Sequence, residues 1–441
     1  MKHLQYIILT LLIIATGCDK GDTVFSQYSQ SPIKSVSCLP LFAPLPVNEG
    51  ALVTITQNSD QSYSFFKVDK DGKVTTKDFS FNWSESSNNN EQTNEQTNDP
   101  NGQPAPTPDV SQMPQPEINL AKDGRLRKNG LDEYYLEYYS TNTFGRNYFS
   151  VIKFDKDCNI KFQLDSTINA MEGSGQGRFA SVKRVPVNGT PLNNGGYAMI
   201  LQTPAMGMLL SSADYLTIRI IDSNGKFVKD LYLGLDSFIE IETVYAINNN
   251  IVIFYKDSDD NKFMYLINLS KESLTKIPIS SDDIYYNFQM FYTVLFISGK
   301  TADGQYHLSA FDENYNRVIG FNCKKIAICL NVTYKGSDLF MSGFTTNSLS
   351  AELNTLDSYY EYINSLDGFI LKGDSGDSTA IAEQYTMDYL NGVIAYATFQ
   401  NDDGSYTVFL TQVTPISMFS SQFGDKIYIY HTEDLNKLQI N

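Results

Sequence analysis

The chain has 441 residues, 42% hydrophobic and 19% charged, a balance that supports a buried core and excludes wholesale disorder. Its formal net charge is −17, from 33 Lys and Arg against 50 Asp and Glu. The basic footprint that a phosphate backbone requires is missing, so no nucleic-acid partner is expected. Three histidines and one tryptophan stand beside 29 tyrosines and 27 phenylalanines, which excludes most chemistry built on a histidine cluster.

At the N-terminus, Lys2 and His3 precede an apolar run at 6–14 that ends in Ala15-Thr16-Gly17-Cys18. A charged start, an apolar stretch too short to span a bilayer and small residues at its end describe a secretory signal over residues 1–17. The closing Ala-Thr-Gly-Cys resembles the bacterial lipobox, in which small residues precede a cysteine whose thiol accepts diacylglycerol. That resemblance implies lipid attachment at Cys18 and a membrane as partner, with an ordinary cleaved signal as the alternative. Residues 18–33 then read as a lipidated tether. Its opening Asp19-Lys20-Gly21-Asp22 is similar to the acidic post-cysteine stretches of surface-exported Bacteroidota lipoproteins, whereas enterobacterial-type sorting reads Asp there as inner-membrane retention. The expected location is the cell envelope, at the outer membrane, facing the surface or the periplasm.

Residues 34–441 carry one recurring pattern, and repeats decide the fold of a chain of this kind. Runs rich in β-branched and aromatic residues at 51–55, 134–138, 197–201, 251–255, 293–297, 338–342 and 393–397 are bounded by turn residues and predict strands. Several are apolar without alternation, which implies burial on both sheet faces. Each is expected to be the first strand of its unit. Downstream hairpins share a turn: Val68-Asp69-Lys70-Asp71-Gly72-Lys73-Val74 and Ile221-Asp222-Ser223-Asn224-Gly225-Lys226-Phe227 have the same spacing. Residues 154–160 repeat it with Cys158 in the glycine's place, and 311–317 and 267–272 are looser copies.

Between 84 and 117 the composition changes to Asn, Gln and Pro, which cannot bury enough area to offset its ordering entropy; a disordered insertion in the first blade is expected. With that insertion set aside, the runs repeat about every 51 residues, close to the roughly 40–50 of a four-stranded propeller blade. Radial packing also supplies a neighbour to both faces of each sheet. The predicted fold is therefore all-β, a single β-propeller of seven blades, with eight as the nearest alternative. The segment 426–430 is either an eighth first run or the strand that closes the ring with the segment around 35–42. A short turn of helix is expected within 354–365.

The mature chain thus resembles bacterial exported β-propeller lipoproteins. It lacks the repeated Trp of quinoprotein-type and Trp-Asp propellers, has a single Gly-Gly pair at Gly195-Gly196 where kelch repeats need several, and carries no sialidase-type box. The resemblance implies architecture and export, and it transfers no active residues.

Four cysteines remain after Cys18. Cys323 and Cys329 flank a short segment and are candidates for a disulfide in an oxidising compartment, with free buried thiols as the alternative. No Cys-x-x-Cys occurs and no histidine lies near a cysteine pair, so no metal site and no cofactor is predicted. Gly373-Asp374-Ser375-Gly376-Asp377 is similar to the nucleophile segment of chymotrypsin-like proteases, but His307 has no matching motif and a hairpin turn explains the segment better. Gly173-Ser174-Gly175-Gln176-Gly177 lacks the spacing of a nucleotide cradle and reads as a loop. The Asp-rich stretches 257–261, 281–283 and 402–404 offer oxygen donors of the kind calcium prefers, with solvated turns as the stronger reading. Triplets beginning at Asp22, Asp165 and Asp377 resemble Bacteroidota O-glycosylation sites. The aromatic excess is read as filling between blades, with Tyr285-Tyr286 and Tyr359-Tyr360 as candidate contacts for a partner.

No catalytic residues are assigned. The expected function is a non-catalytic binding or scaffold protein for an envelope protein or extracellular glycan, which includes a subunit of an envelope complex. The alternative is a propeller hydrolase or lyase with carboxylates and tyrosines in the central channel, joined by His307 or His431.

Overall fold

The computed structural model describes residues 32–81, 83, 118–141, 146–169, 171–172, 181–182, 185–202, 215–234, 239–257, 261–279, 284–291, 294–347, 362–374, 383–386, 392–413 and 423–438. Cys18, the 84–117 insertion, Gly173–Gly177, Ser281–Asp283 and Tyr359-Tyr360 lie outside the described residues.

Seven four-stranded antiparallel sheets form a ring, a seven-bladed β-propeller. From the axis outward, blade 1 is Leu45–Val47, Ala51–Gln57, Tyr63–Asp69 and Val74–Phe79, and blade 2 is Gly124–Lys128, Tyr134–Thr141, Arg146–Phe154 and Ile160–Asn169. Blade 3 is Val185–Pro191, Tyr197–Gln202, Tyr215–Ile221 and Phe227–Gly234. Blade 4 is Ile239–Ile247, Asn250–Asp257, Lys262–Asn268 and Ser273–Pro278. Blade 5 is Ile284–Phe291, Val294–Lys300, Tyr306–Phe311 and Arg317–Cys323. Blade 6 is Ile326–Lys335, Asp338–Thr346, Asp367–Asp374 and Glu383–Thr386. Blade 7 takes Val393–Gln400, Tyr406–Gln412 and Lys426–Thr432 from the C-terminal part, and its outermost strand is Lys34–Ser37.

That last pairing closes the ring: Lys34 is opposite Ile429 and Ser37 opposite Lys426 in antiparallel register. Lys426–Thr432 is therefore the closing partner and not the start of an eighth blade. The 84–117 segment falls between the outermost strand of blade 1 and the innermost strand of blade 2. Among the described residues helix is limited to short turns, at Leu120–Asp123, capped by the Asn119 side chain, at 362–365, inside the stretch that predicts a turn of helix, and a 3-10 turn at Leu435–Leu438.

The repeat is shifted by one strand from the expected phase. In blades 1 to 6 the apolar runs are second strands, and only in blade 7 is the run the innermost one. The cause is burial: second strands are packed on both faces, as in Tyr197–Gln202 where every residue is buried. The innermost strands of blades 2 to 5 carry polar residues at the axis, that of blade 1 is only three residues long, and those of blades 3 to 7 are irregular. The inner strands of blades 3, 4, 5, 6 and 7 each shift register by one residue, past Val187, Glu242, Tyr286, Leu330 and Tyr396. Such bulges break the apolar alternation and re-aim one side chain per strand.

The aromatic residues fill the space between blades, as expected. Phe65 lies 4.2 Å from Phe154 across blades 1 and 2, Phe254 4.4 Å from Phe288 across blades 4 and 5, and Phe340 5.6 Å from Tyr406 across blades 6 and 7. Tyr134, Tyr135, Tyr138, Tyr197, Tyr255, Tyr396 and Tyr430 are among the largest fully buried side chains.

The shared turn joins third to fourth strands in blades 1 to 5. In four of the copies one Asp oxygen accepts two backbone N–H groups: Asp69 from Asp71 and Lys73, Asp155 from Asp157 and Asn159, Asp222 from Asn224 and Lys226, Asp312 from Asn314 and Asn316. The fourth position has positive φ in each, at Gly72, Cys158, Gly225 and Tyr315, whereas the blade 4 copy, which starts at Asn268, has its positive φ one residue later, at Glu272. The Asp side chain holds the turn in place even where glycine is absent.

Antiparallel connection divides the ring into two faces. One face carries the turns between first and second and between third and fourth strands, and it is where Lys34 begins the closing strand, with its ammonium on the Asp71 carbonyl. The opposite face carries the connections 79–124, 202–215, 346–367 and 412–426, which are the long ones.

Candidate functional site

The innermost strands enclose an axial cavity of about 560 Å³. Its lining divides into two walls. Blades 2 to 5 contribute Arg125, Arg127, Lys128, Asn129, Thr190, Asn193, Thr243, Tyr245 and Gln289 interleaved with Leu126, Pro191, Ala246 and Met290, whereas Leu45, Ile328, Leu330 and Phe344 from blades 1 and 6 form a wholly apolar side. Phe42, Ala43, Tyr362 and Phe423 collar the end nearer the loop-bearing face.

In an acidic chain, the charged residues of this lining are all cations: Arg125, Arg127 and Lys128, from one short strand. Arg125 and Arg127 share a strand face, as residues two apart must, and turn toward blade 3. Lys128 points the other way, to blade 1, where its ammonium donates to the Pro46 carbonyl at 2.9 Å and pairs with Asp132.

Arg127 is consumed by structure. Its Nη1 donates to the carbonyls of Gly189 at 3.2 Å and Val244 at 2.5 Å, so one guanidinium ties blade 2 to blades 3 and 4. The same group sits 4.9 Å over the Tyr245 ring, and its Nε lies 3.4 Å from Oε2 of the fully buried Glu137. Burial pushes the Glu137 carboxyl upward, and Arg127 and Arg125 oppose that shift. Behind them the Tyr139 and Tyr197 hydroxyls meet at 2.7 Å, and burial raises both phenols.

Arg125 is different. It pairs across the sheet with Glu137, and among the described residues its hydrogen bonding is a single contact, from Nη1 to Asn188 Oδ1 at 2.8 Å. A guanidinium has five N–H donors, so most of its capacity faces the cavity. The buried Asn188 stands just past the bulge of its strand. Asn331 has the same place in blade 6, where it donates to the carbonyls of Pro44 and Tyr396 at 2.8 and 2.7 Å.

The residues singled out in the sequence lie elsewhere. His307 and His431 are on third strands of blades 5 and 7, away from the axis, with His307 Nδ1 3.1 Å from Ser309 Oγ. No carboxylate and no histidine lines the cavity among the described residues, which corrects the picture of an acidic, histidine-bearing channel. Cys323 and Cys329 are free thiols: one ends the outermost strand of blade 5, the other is buried on the innermost strand of blade 6, so the disulfide considered for them is not made. Cys38 and Cys158 are also free and buried. Asp402 pairs with Lys335, and Asp403 holds the Ser405 amide, so that Asp-rich stretch is a turn. Gly373 and Asp374 end the strand that pairs with Glu383–Thr386, and Ser375, Gly376 and Asp377 lie outside the described residues. Among the described residues no group of three or more His, Cys, Asp or Glu is arranged to hold a metal.

No family model and no curated protein matches the chain. Solved structures that resemble it include one from a study of two prolyl endopeptidases, at 10% identity and TM-score 0.39, covering 88% of this chain and 46% of that one. This chain thus spans less than half the length of that structure. Another is a cobalt-substituted apocarotenoid oxygenase from Synechocystis, at 10% identity and TM-score 0.38, covering 93% of this chain and 96% of that one. Likeness at this level carries nothing about activity, and the fold assignment rests on the strand topology above.

Proposed function

We propose that the chain is a lipid-anchored cell-envelope propeller that acts as a non-catalytic binding protein, presenting its loop-bearing face to an envelope protein or extracellular glycan. The observation that carries this reading is the division of the ring into two faces. The strand that follows the tether begins at the tight-turn face, beside Asp71, and the long connections emerge opposite. A ring tethered through Cys18 would turn its compact face to the membrane and the face with the long connections outward. Binding residues concentrate on loops held by a rigid scaffold.

The test has two arms. Labelling cells with an alkyne analogue of palmitate should mark the wild-type protein and leave Cys18→Ser unmarked. A glycan array and an envelope cross-linking experiment, run on the same purified mature protein, should give capture that loop substitutions within 203–214 or 348–361 abolish. Turnover of glycans, lactones or peptides by the mature protein would overturn the non-catalytic reading in favour of a hydrolase or lyase.

A further inference from the structure

We propose that the axial cavity is a binding site for a small organic carboxylate with an apolar body. Its carboxylate is held by the Arg125 guanidinium, and its body lies against Ile328, Leu330 and Phe344. This site is on the ring axis and depends neither on the lipid anchor nor on what the loop-bearing face meets.

Four observations lead there. The volume, about 560 Å³, falls inside the roughly 300–1,000 Å³ of small-molecule pockets. The cationic wall is not neutralised: Arg125, Arg127 and Lys128 stand against two carboxylates, Glu137 and Asp132, which leaves at least one positive charge whichever protonation state Glu137 takes. Arg127 and Lys128 are tied to backbone carbonyls and ion pairs, so the cation with the most free donors is Arg125, and one guanidinium fits one carboxylate in bidentate fashion. Finally, the facing wall of Leu45, Ile328, Leu330 and Phe344 is apolar and offers a sugar ring no hydroxyl partners. A dianion such as phosphate finds only one uncommitted cation here, and a neutral hydrocarbon leaves Arg125 desolvated without a partner.

Calorimetric titration of the full mature chain with octanoate, octan-1-ol and acetate tests this. Octanoate should bind saturably at one site per chain, with octan-1-ol and acetate each weaker by about tenfold or more. Arg125→Met should weaken octanoate by about tenfold or more and leave octan-1-ol nearly unchanged, while Arg125→Lys, which keeps the charge, should fall between the two. Because Arg125→Met also removes the contact to Asn188, Gln289→Glu is the second variant: it sets a carboxylate on the cavity wall with Arg125 intact, and should weaken octanoate but not octan-1-ol. Equal affinity for octanoate and octan-1-ol, unchanged octanoate binding in both variants, or absence of saturable octanoate binding would overturn the proposal.

Discussion

The inner strand of blade 2, Gly124–Lys128, puts Arg125, Arg127 and Lys128 on the axial cavity, whereas the inner strand of blade 6, Ile326–Lys335, contributes Ile328 and Leu330. Both strands hold the same position in a ring built from one repeated unit. Their partners explain how each is tolerated. The blade 2 strand is half-buried throughout, and its two committed cations find carbonyls on neighbouring blades and the carboxylates of Glu137 and Asp132 within their own blade. The blade 6 strand is buried over its first eight residues and packs as core. A propeller can therefore dedicate one blade to charge because that blade's own carboxylates and the carbonyls of other blades compensate it, and the far wall is left free to be apolar.

The sharpest break of this comparison is at the buried ion pair. Removing the carboxylate in Glu137→Ala leaves the Arg127 guanidinium without its carboxylate, and should cost about 3–5 kcal/mol in urea denaturation at neutral pH. The double variant Arg127→Met with Glu137→Leu should recover much of that loss, since an apolar replacement removes both charges together. On the opposite wall, Leu330→Ala should cost about 2–4 kcal/mol by the same measurement, a packing loss with no dependence on salt. The turns common to blades on either wall give a baseline. Gly225 has φ +81°, and a Cβ there would lie 3.0 Å from the Phe162 ring, so Gly225→Ala should cost about 1 kcal/mol or slightly more.

Arg125→Met should be milder still, at or below about 1 kcal/mol, because it gives up one hydrogen bond. A loss as large as that of Glu137→Ala would mean that Arg125 is as structural as Arg127. The smallest effect is expected in acid. Partial burial raises the Asp155 carboxyl, but hydrogen bonds from Lys161, Asn159 and Asp157 outweigh it and hold the group well below 3.8. A depressed folded value means the stabilisation is present above the unfolded value and is lost as pH falls below about 4. Urea midpoints between pH 5 and pH 3 should drop less steeply in Asp155→Asn than in wild type.

The architecture was legible where burial made the sequence uniform. Val252, Ile253 and Phe254, or Val393, Ile394 and Ala395, are apolar on both sheet faces and give each strand away. The Asp turns were legible because their hydrogen bonds run within seven residues of chain. The phase of the repeat was not, because inner strands such as Leu45–Val47 and Val185–Pro191 are short or bulged and border a cavity. The cavity itself was hidden for a related reason. Arg125-Leu126-Arg127-Lys128 looks like an exposed basic stretch in a chain with 33 basic residues, and only the ring brings it opposite Ile328 and Leu330. A usable signal was the asparagine just past the bulges at Asn188, Asn287 and Asn331, which marks inner strands in three blades.

The most direct test of the two-walled cavity is a crystal structure of the mature chain grown with 4-bromobenzoate, with the bromine located by its anomalous signal. The carboxylate is expected on the Arg125 guanidinium and the bromine against Ile328, Leu330 and Phe344. Bromine on the polar wall beside Asn193 or Tyr245, or a cavity that excludes the compound while it binds elsewhere, would contradict it.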